Sequence, residues 1–364
     1  MEVKQLTKDK YDVWNKFCLA SENAWFWHTT DWLEFSLNFR PELNSRNLSF
    51  YIKDDTGVIA ICPLILEEIP SPSGKIKQLS NSASGGLLLF PAIKNDFSPE
   101  RRKKTLKLIF AQIDKLIVDN KSKKISLRID PLASCLGKNS SGNNSLLKYG
   151  FLNSSLNTQI VDLSVSEEEL FKAVRKGHKS DIKRGSKAYQ IEIFDQNTIT
   201  KEIFDQYRSL HHKAAGRLTR PLLTFEMMYQ WIKTGKSVLC GIKLENRFIG
   251  FTLIVTYKHG AYYASAADDP DVQVNIPISH LIQWSLIEWL KKHGFKHYEL
   301  GLQQFGPQLF SVPSQKNLDI SLFKRGFGGG TVSAYRGIKY TDKEFMKKDL
   351  LGNMEKLIAS YQEI

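Results

Sequence analysis

Between residues 237 and 302 the apolar and polar positions fall into five blocks. Apolar and β-branched residues fill 237–243 and 248–256, separated by the polar break Leu244-Glu-Asn-Arg247; runs of this kind around a short turn predict a hairpin. A turn at Lys258-His259-Gly260 leads to a third strand over 261–266. The acidic loop Asp268-Asp269-Pro270-Asp271 then precedes residues 276–293, where Leu281, Ile282, Trp284, Leu286, Ile287, Trp289 and Leu290 predict a helix apolar around most of its circumference. Such a helix suits an element covered on more than one side. Gly294 can end it in the left-handed conformation open to glycine, and 296–301 resume as a strand.

The same order occurs earlier. Residues 48–53 and 58–66 predict strands around a turn at Asp54-Asp-Thr-Gly57, and Ile52, Lys53, Ile59 and Ala60 stand 190 positions before Ile242, Lys243, Ile249 and Gly250. A strand over 85–90 follows, then a helix over 99–118 with Leu106, Ile109, Phe110, Ile113, Leu116 and Ile117 on one face, then a strand over 124–130. Repeated order and turn spacing predict two copies of one α/β unit. A loop over 135–145, rich in Gly, Ser and Asn, interrupts the first copy before strands near 149–152 and 158–163.

The remaining pattern supplies connections. Residues 11–19 predict a short helix. The aromatic stretch 25–35 forms either core or a substrate wall including Trp32, and core is favoured by the area such rings bury; Thr30 or Asp31 caps a helix opening at Trp32. Ser166 and Glu169 form a capping box, starting a helix that runs into residues 175–187, where Gly177 and Gly185 weaken it. Further helices are predicted at 200–213, 224–233 and 343–361. A loop covers 303–313, a strand entering a glycine turn 319–330, and a closing strand 331–338.

At 364 residues the chain exceeds one ordinary core, so two domains, 1–164 and 165–364, are expected. The fold class is α/β (α+β), each unit a mixed sheet flanked by helices. The longest apolar run, 58–66, is too short to cross a bilayer, and the polar N-terminus lacks a signal peptide's apolar centre, pointing to the cytoplasm. Cys18, Cys62, Cys135 and Cys240 show no zinc spacing, and His211-His212 has no partner motif, so no metal site is expected. P-loop, dinucleotide and GxSxG signatures are missing too.

The net charge of +13 is concentrated. Residues 101–124 carry nine Lys/Arg against two Asp and residues 171–187 carry seven against one, which together equal the whole excess. Concentration of this kind implies an anionic partner, such as tRNA, a nucleotide-sugar, a lipid-diphosphate precursor or an anionic membrane surface; the plainer alternative is a solvated helix face. Arg175, Lys179 and Lys183 are four apart and form one stripe able to follow phosphates.

Four segments taken in order, Phe26-Trp-His-Thr-Thr-Asp-Trp32, Ile182-Lys-Arg-Gly-Ser-Lys187 before Ile191-Glu-Ile, residues 261–301, and Leu322-Phe-Lys-Arg-Gly-Phe-Gly-Gly329, resemble the Fem family of aminoacyl and peptidyl transferases and, more loosely, the GNAT acyltransferases. The resemblance implies tandem GNAT-like units, and the functional cleft is expected between them, formed mainly by the second. It also implies acyl transfer to an amine of a cell-envelope precursor such as peptidoglycan, with aminoacyl-tRNA as donor. An acyl-CoA-dependent N-acyltransferase of an amino sugar in surface polysaccharide synthesis, or a non-catalytic protein that binds RNA or a membrane surface, are the alternatives. Two family features are missing: the coiled-coil arm of some members, and the glycine cradle for coenzyme A, whose place is taken by residues 267–276 with three Asp. Negative charge there opposes pyrophosphate binding.

Aminolysis of an ester or thioester needs a neutral amine, an oxyanion donor and a route for the proton. Lys324 is the expected oxyanion or donor-binding group, because Phe323-Lys324 matches a functional pair of the Fem family. Asp268 and Asp269, at a strand's C-terminal end, are candidates to hold or deprotonate the attacking ammonium. Tyr262 and Tyr263 alternate, so one of them, taken as Tyr263, faces the cleft. Gln303 and Gln304 are candidate hydrogen-bond donors.

Overall fold

The computed structural model describes residues 1–72, 74–136 and 143–361. It separates into two compact units, one comprising Met1–Asn157, Gln304–Leu318 and Ser333–Ile364, the other Thr158–Gln303 and Asp319–Val332. This corrects the linear division at 164 and 165, because strands cross over in sequence. Arg336–Tyr340 pairs with Lys124–Arg128 in the first unit, whereas Leu156–Asp162, expected to finish the first copy, joins the sheet of the second. Of the expected loop 135–145, residues 137–142 lie outside the described residues.

The second unit is built on one seven-stranded sheet in the order Gln190–Phe194, Ser237–Leu244, Arg247–Tyr257, Gly260–Asp268, His297–Gln303, Leu156–Asp162, Gly330–Ala334. The helix Ile278–Lys292 buries Leu281, Ile282, Leu286, Ile287 and Leu290, each contributing about 2 kcal/mol of burial. Helix Lys176–Ala188 lies across it where Gly185 meets Leu281: a methyl on Gly185 would lie 3.4 Å from the Leu281 Cβ. The Ser166 and Glu169 capping box forms as expected and opens the helix Glu167–Ala173. That helix stops at Val174 and a new one begins after Arg175, so the break falls before Gly177 and at neither glycine.

The first unit holds two sheets. One runs Glu2–Gln5, Phe50–Asp54, Gly57–Cys62, Ala92–Ile93, and the other runs Leu152–Asn153, Arg336–Tyr340, Lys124–Arg128, Gly74–Leu79, Ile65–Ser71, Arg46–Asn47, with Leu88–Leu89 also paired to Lys124–Arg128. The single strand expected over 58–66 is divided at Pro63, which has no N–H for a ladder. Helix Pro99–Asp119, capped by Ser98, buries Ile109, Phe110, Ile113 and Ile117. The helix Thr30–Phe39 is capped by Thr29, whose hydroxyl accepts from the Trp32 amide, one residue before the expected cap.

The internal repeat is visible in the pairing. Ile52 lies opposite Ala60 and Lys53 opposite Val58, with a register shift between them; Ile242 lies opposite Gly250 and Lys243 opposite Phe248, with the same shift. Both hairpins thus carry a bulge at the positions the 190-residue offset relates.

Two C-terminal expectations are corrected. The strand expected over 319–330 is the helix Gln315–Arg325, started by Ser314, whose hydroxyl accepts from the Asn317 amide. The strand expected over 331–338 is two, Gly330–Ala334 and Arg336–Tyr340, in different sheets.

Candidate active site

In the second unit, Gly260–Asp268 and His297–Gln303 pair in parallel only at Gly260 with His297, Ala261 with Tyr298, and Tyr262 with Glu299. Both strands run on beyond that ladder, to Asp268 and Gln303. A wedge therefore opens at their C-terminal ends, where open α/β sheets take ligands. On its other side Gly260–Asp268 has a bulge, since Leu253 faces Ser265 while Ile254 faces Tyr263; a bulge bends its strand.

Lys324 enters this wedge from the last turn of helix Gln315–Arg325. Gly301 makes room for it: at φ +91°, a methyl on that residue would lie 3.2 Å from the Lys324 Nζ and 3.5 Å from the Tyr262 hydroxyl. Nζ also lies 5.8 Å from the Tyr263 ring centre. Burial lowers the Lys324 pKa to about 8, and the Glu299 carboxylate only partly offsets it. Glu299 itself is buried and accepts a 2.7 Å hydrogen bond from the Thr158 hydroxyl.

Asp268 ends the strand and accepts a 3.2 Å hydrogen bond from the Ser279 hydroxyl. The residue is exposed as a whole, but desolvation of its carboxylate raises its pKa, with the Ser279 bond acting the other way. Tyr263 is pushed far above the ordinary phenol range by burial first, then by the Asp268 charge and by Tyr207. Tyr263 is thus the common neighbour of Lys324 and Asp268. Behind it the Tyr207 hydroxyl donates to Ser265 Oγ at 2.9 Å, and Arg220 stacks 4.6 Å over Phe225 and reaches His211 Nε2 at 3.4 Å.

The other expected site residues fall elsewhere or are occupied. Asp269 is buried and ion-paired with Lys213 at 2.5 Å and with Arg247. Burial pushes its pKa up, but Lys213, the Asp271 amide and Arg247 more than offset this and hold it below the ordinary carboxylate range. Gln303 is buried and accepts from Arg325 Nη1 at 3.0 Å. Gln304 belongs to the first unit, where its amide donates to Ser311 Oγ. Trp32 also lies in the first unit, 4.5 Å from Trp27 and stacked 5.1 Å from Phe35, which is the core alternative.

Phe323 turns into a ring cluster with His280 at 5.0 Å and Phe327 at 5.1 Å. Lys179 and Lys183 lie 5.7 and 5.8 Å over Phe171, whereas Arg175 stands before the first turn of that helix with a non-helical backbone, its guanidinium 3.4 Å from His178 Nδ1. The expected stripe of three is thus two lysines on the helix with Arg175 at its start. Sequence reasoning missed Gly301, Glu299 and His178. Gly301 had a signal, because a glycine inside a strand pattern marks a close approach; His178 had none.

No protein-family model and no curated protein matches the sequence. Solved structures do match over nearly the full length. FemX aligns at 14% identity over 96% of this chain and 99% of its own, with a TM-score of 0.66. L-PGS from Bacillus licheniformis aligns at 12% identity over 97% of each chain, with a TM-score of 0.54. A tandem GNAT protein from the clavulanic acid biosynthesis pathway aligns at 11% identity over 94% of this chain and 99% of its own, with a TM-score of 0.53. Among the described residues no helix is long and apolar enough to cross a membrane. At these identities the likeness is one of architecture: the chain has a FemX-like tandem GNAT fold.

Proposed function

We propose that the protein is an N-acyltransferase that forms an amide on an amine of a cell-envelope precursor, using an activated acyl donor that carries phosphate. The observation that carries this reading is the Lys324 amine, lowered to about 8 and held beside Gly301 where two parallel strands part. The acceptor amine attacks the donor carbonyl, the C–N bond forms, the ester or thioester bond breaks, and the proton lost by the amine is passed through a base to the departing oxygen or sulfur. At neutral pH most Lys324 is still charged, so it donates to the developing oxyanion. Asp268, whose raised pKa makes it a stronger base than an ordinary carboxylate, takes the proton. Arg175, Lys179 and Lys183 bind the donor's phosphates. The resemblance of the sequence to the Fem family favours an aminoacyl-tRNA donor over coenzyme A, as does the acidic loop after Asp268.

The test is equilibrium binding of charged tRNA and, separately, of coenzyme A thioesters across a salt series, together with transfer assays on Lys324→Ala. Salt-dependent tRNA binding is expected, its log–log slope falling by about one for each of Lys179 and Lys183 changed to Gln. Transfer is expected to be lost in Lys324→Ala with tRNA binding retained. Thioester binding with weak tRNA binding would replace the donor, and tRNA binding without any transfer would leave a non-catalytic RNA-binding protein.

A further inference from the structure

The turn that carries Lys324 is anchored from outside its own helix. The Phe323 carbonyl accepts from the Gly326 amide at 3.0 Å and from His178 Nε2 at 2.9 Å. One turn of chain later the Gly326 carbonyl accepts from the Arg175 amide at 2.8 Å. Lys324 lies between these two anchored carbonyls. A carbonyl only accepts, so Nε2 carries the imidazole proton and Nδ1 is an acceptor, 3.4 Å from Arg175 Nη2.

His178 is built into place. It is 1% exposed, with ring centres of His280, Phe327 and Phe323 at 4.3, 4.9 and 5.5 Å. At Gly326 the two segments are in contact: a methyl there would fall 2.1 Å from His178 Nε2. Only glycine lets the turn approach the ring this closely.

We propose that His178 is a positioning residue that fixes the Phe323–Gly326 turn and thereby keeps the Lys324 amine inside the wedge. A lysine amine on a four-carbon stem is drawn toward water, and the end of a helix frays readily. Something must therefore hold the Lys324 backbone while its side chain stays desolvated; the imidazole does so as a second donor to the Phe323 carbonyl, and the Arg175 amide does so by pairing the Gly326 carbonyl just past the helix end. The same helix bears Lys179 and Lys183, so one rigid element both presents the basic stripe and sets the lysine. This inference rests on the reading of Lys324 as the working amine.

The experiment is competitive labelling of the full chain with acetic anhydride between pH 7 and 11, the yield at each lysine read by peptide mass spectrometry. It is run on the wild type, His178→Gln and His178→Phe. Glutamine can still donate to the Phe323 carbonyl; phenylalanine keeps the ring and loses the bond. Lys324 is expected to titrate near 8 in the wild type and in His178→Gln. In His178→Phe it should shift toward the ordinary 10.5, other lysines being unchanged. Gly326→Ala, which pushes the ring off the turn, should give the same shift and serves if His178→Phe does not fold. A folded His178→Phe or Gly326→Ala protein in which Lys324 still titrates near 8 overturns the proposal. Labelling reports where the amine sits whether or not it acts in transfer, so full transfer by Lys324→Ala would refute the catalytic reading and leave this result standing.

Discussion

Replacing Lys324 with methionine should make the protein more stable and inactive. Its amine titrates at about 8 instead of 10.5, a gap of about 2.5 units, and each unit is worth 1.36 kcal/mol. The charged form is therefore disfavoured in the folded protein by about 3 kcal/mol relative to the unfolded chain. Between pH 8 and 10.5 the unfolded chain binds more protons than the folded one, so stability rises with pH across that window. Below pH 8 the folded protein bears the whole penalty. Methionine has a similar length and no charge, so Lys324→Met should gain up to about 3 kcal/mol at pH 7, and the gain should fade to nothing by pH 10.5. Urea unfolding of both proteins, followed by tryptophan fluorescence at several pH values, measures this; Trp231, Trp284 and Trp289 report on the second unit. A variant less stable than wild type at pH 7, or a difference that stays constant up to pH 10, would refute the burial argument.

Two further outcomes follow from neighbouring geometry. Gly301→Ala places a methyl 3.2 Å from the Lys324 amine at φ +91°; it should cost about 1–2 kcal/mol in thermal unfolding and raise the Lys324 labelling pKa, and a variant unchanged in both would show that Gly301 is not what makes room for the amine. Asp269→Asn removes the charge shared by Lys213 and Arg247 and should cost about 2 kcal/mol at neutral pH. Because the Asp269 pKa is held below 3.8, that difference is present above this value and is lost as the pH falls through the folded-state pKa, which acid titration of both proteins would follow.

The hairpins, their turns and the two long helices were legible because burial writes itself into the sequence as periodicity. The 190-residue offset related Ile52 and Lys53 to Ile242 and Lys243, and the bulge that the structure shows at both places was not part of that reading. Residues 319–330 were misread because Ile320 and Leu322 alternate with Asp319 and Ser321 like a strand, while the helix start at Ser314 lay outside that pattern. The crossover of Leu156–Asp162 and Arg336–Tyr340 was invisible for a different reason: each segment looks like a strand beside its sequence neighbours, and partner choice is tertiary. At the site, Lys324 and Asp268 could be named from motif and strand end. Nothing local distinguished Asp269, tied up by ions, from Asp268, or marked His178 as the anchor of a turn almost 150 residues away.

The place of Arg336–Tyr340 between Leu152–Asn153 and Lys124–Arg128 also sets a timetable. A ribosome adds about 5–20 residues per second, so roughly 10–40 s separate the emergence of Lys124–Arg128 from that of the strand that covers its edge. Throughout that interval the unit made first displays an open sheet edge, the kind of surface that recruits other chains. The unit begun first is thus finished last, and a fragment cut midway through the chain would reproduce that unfinished state permanently.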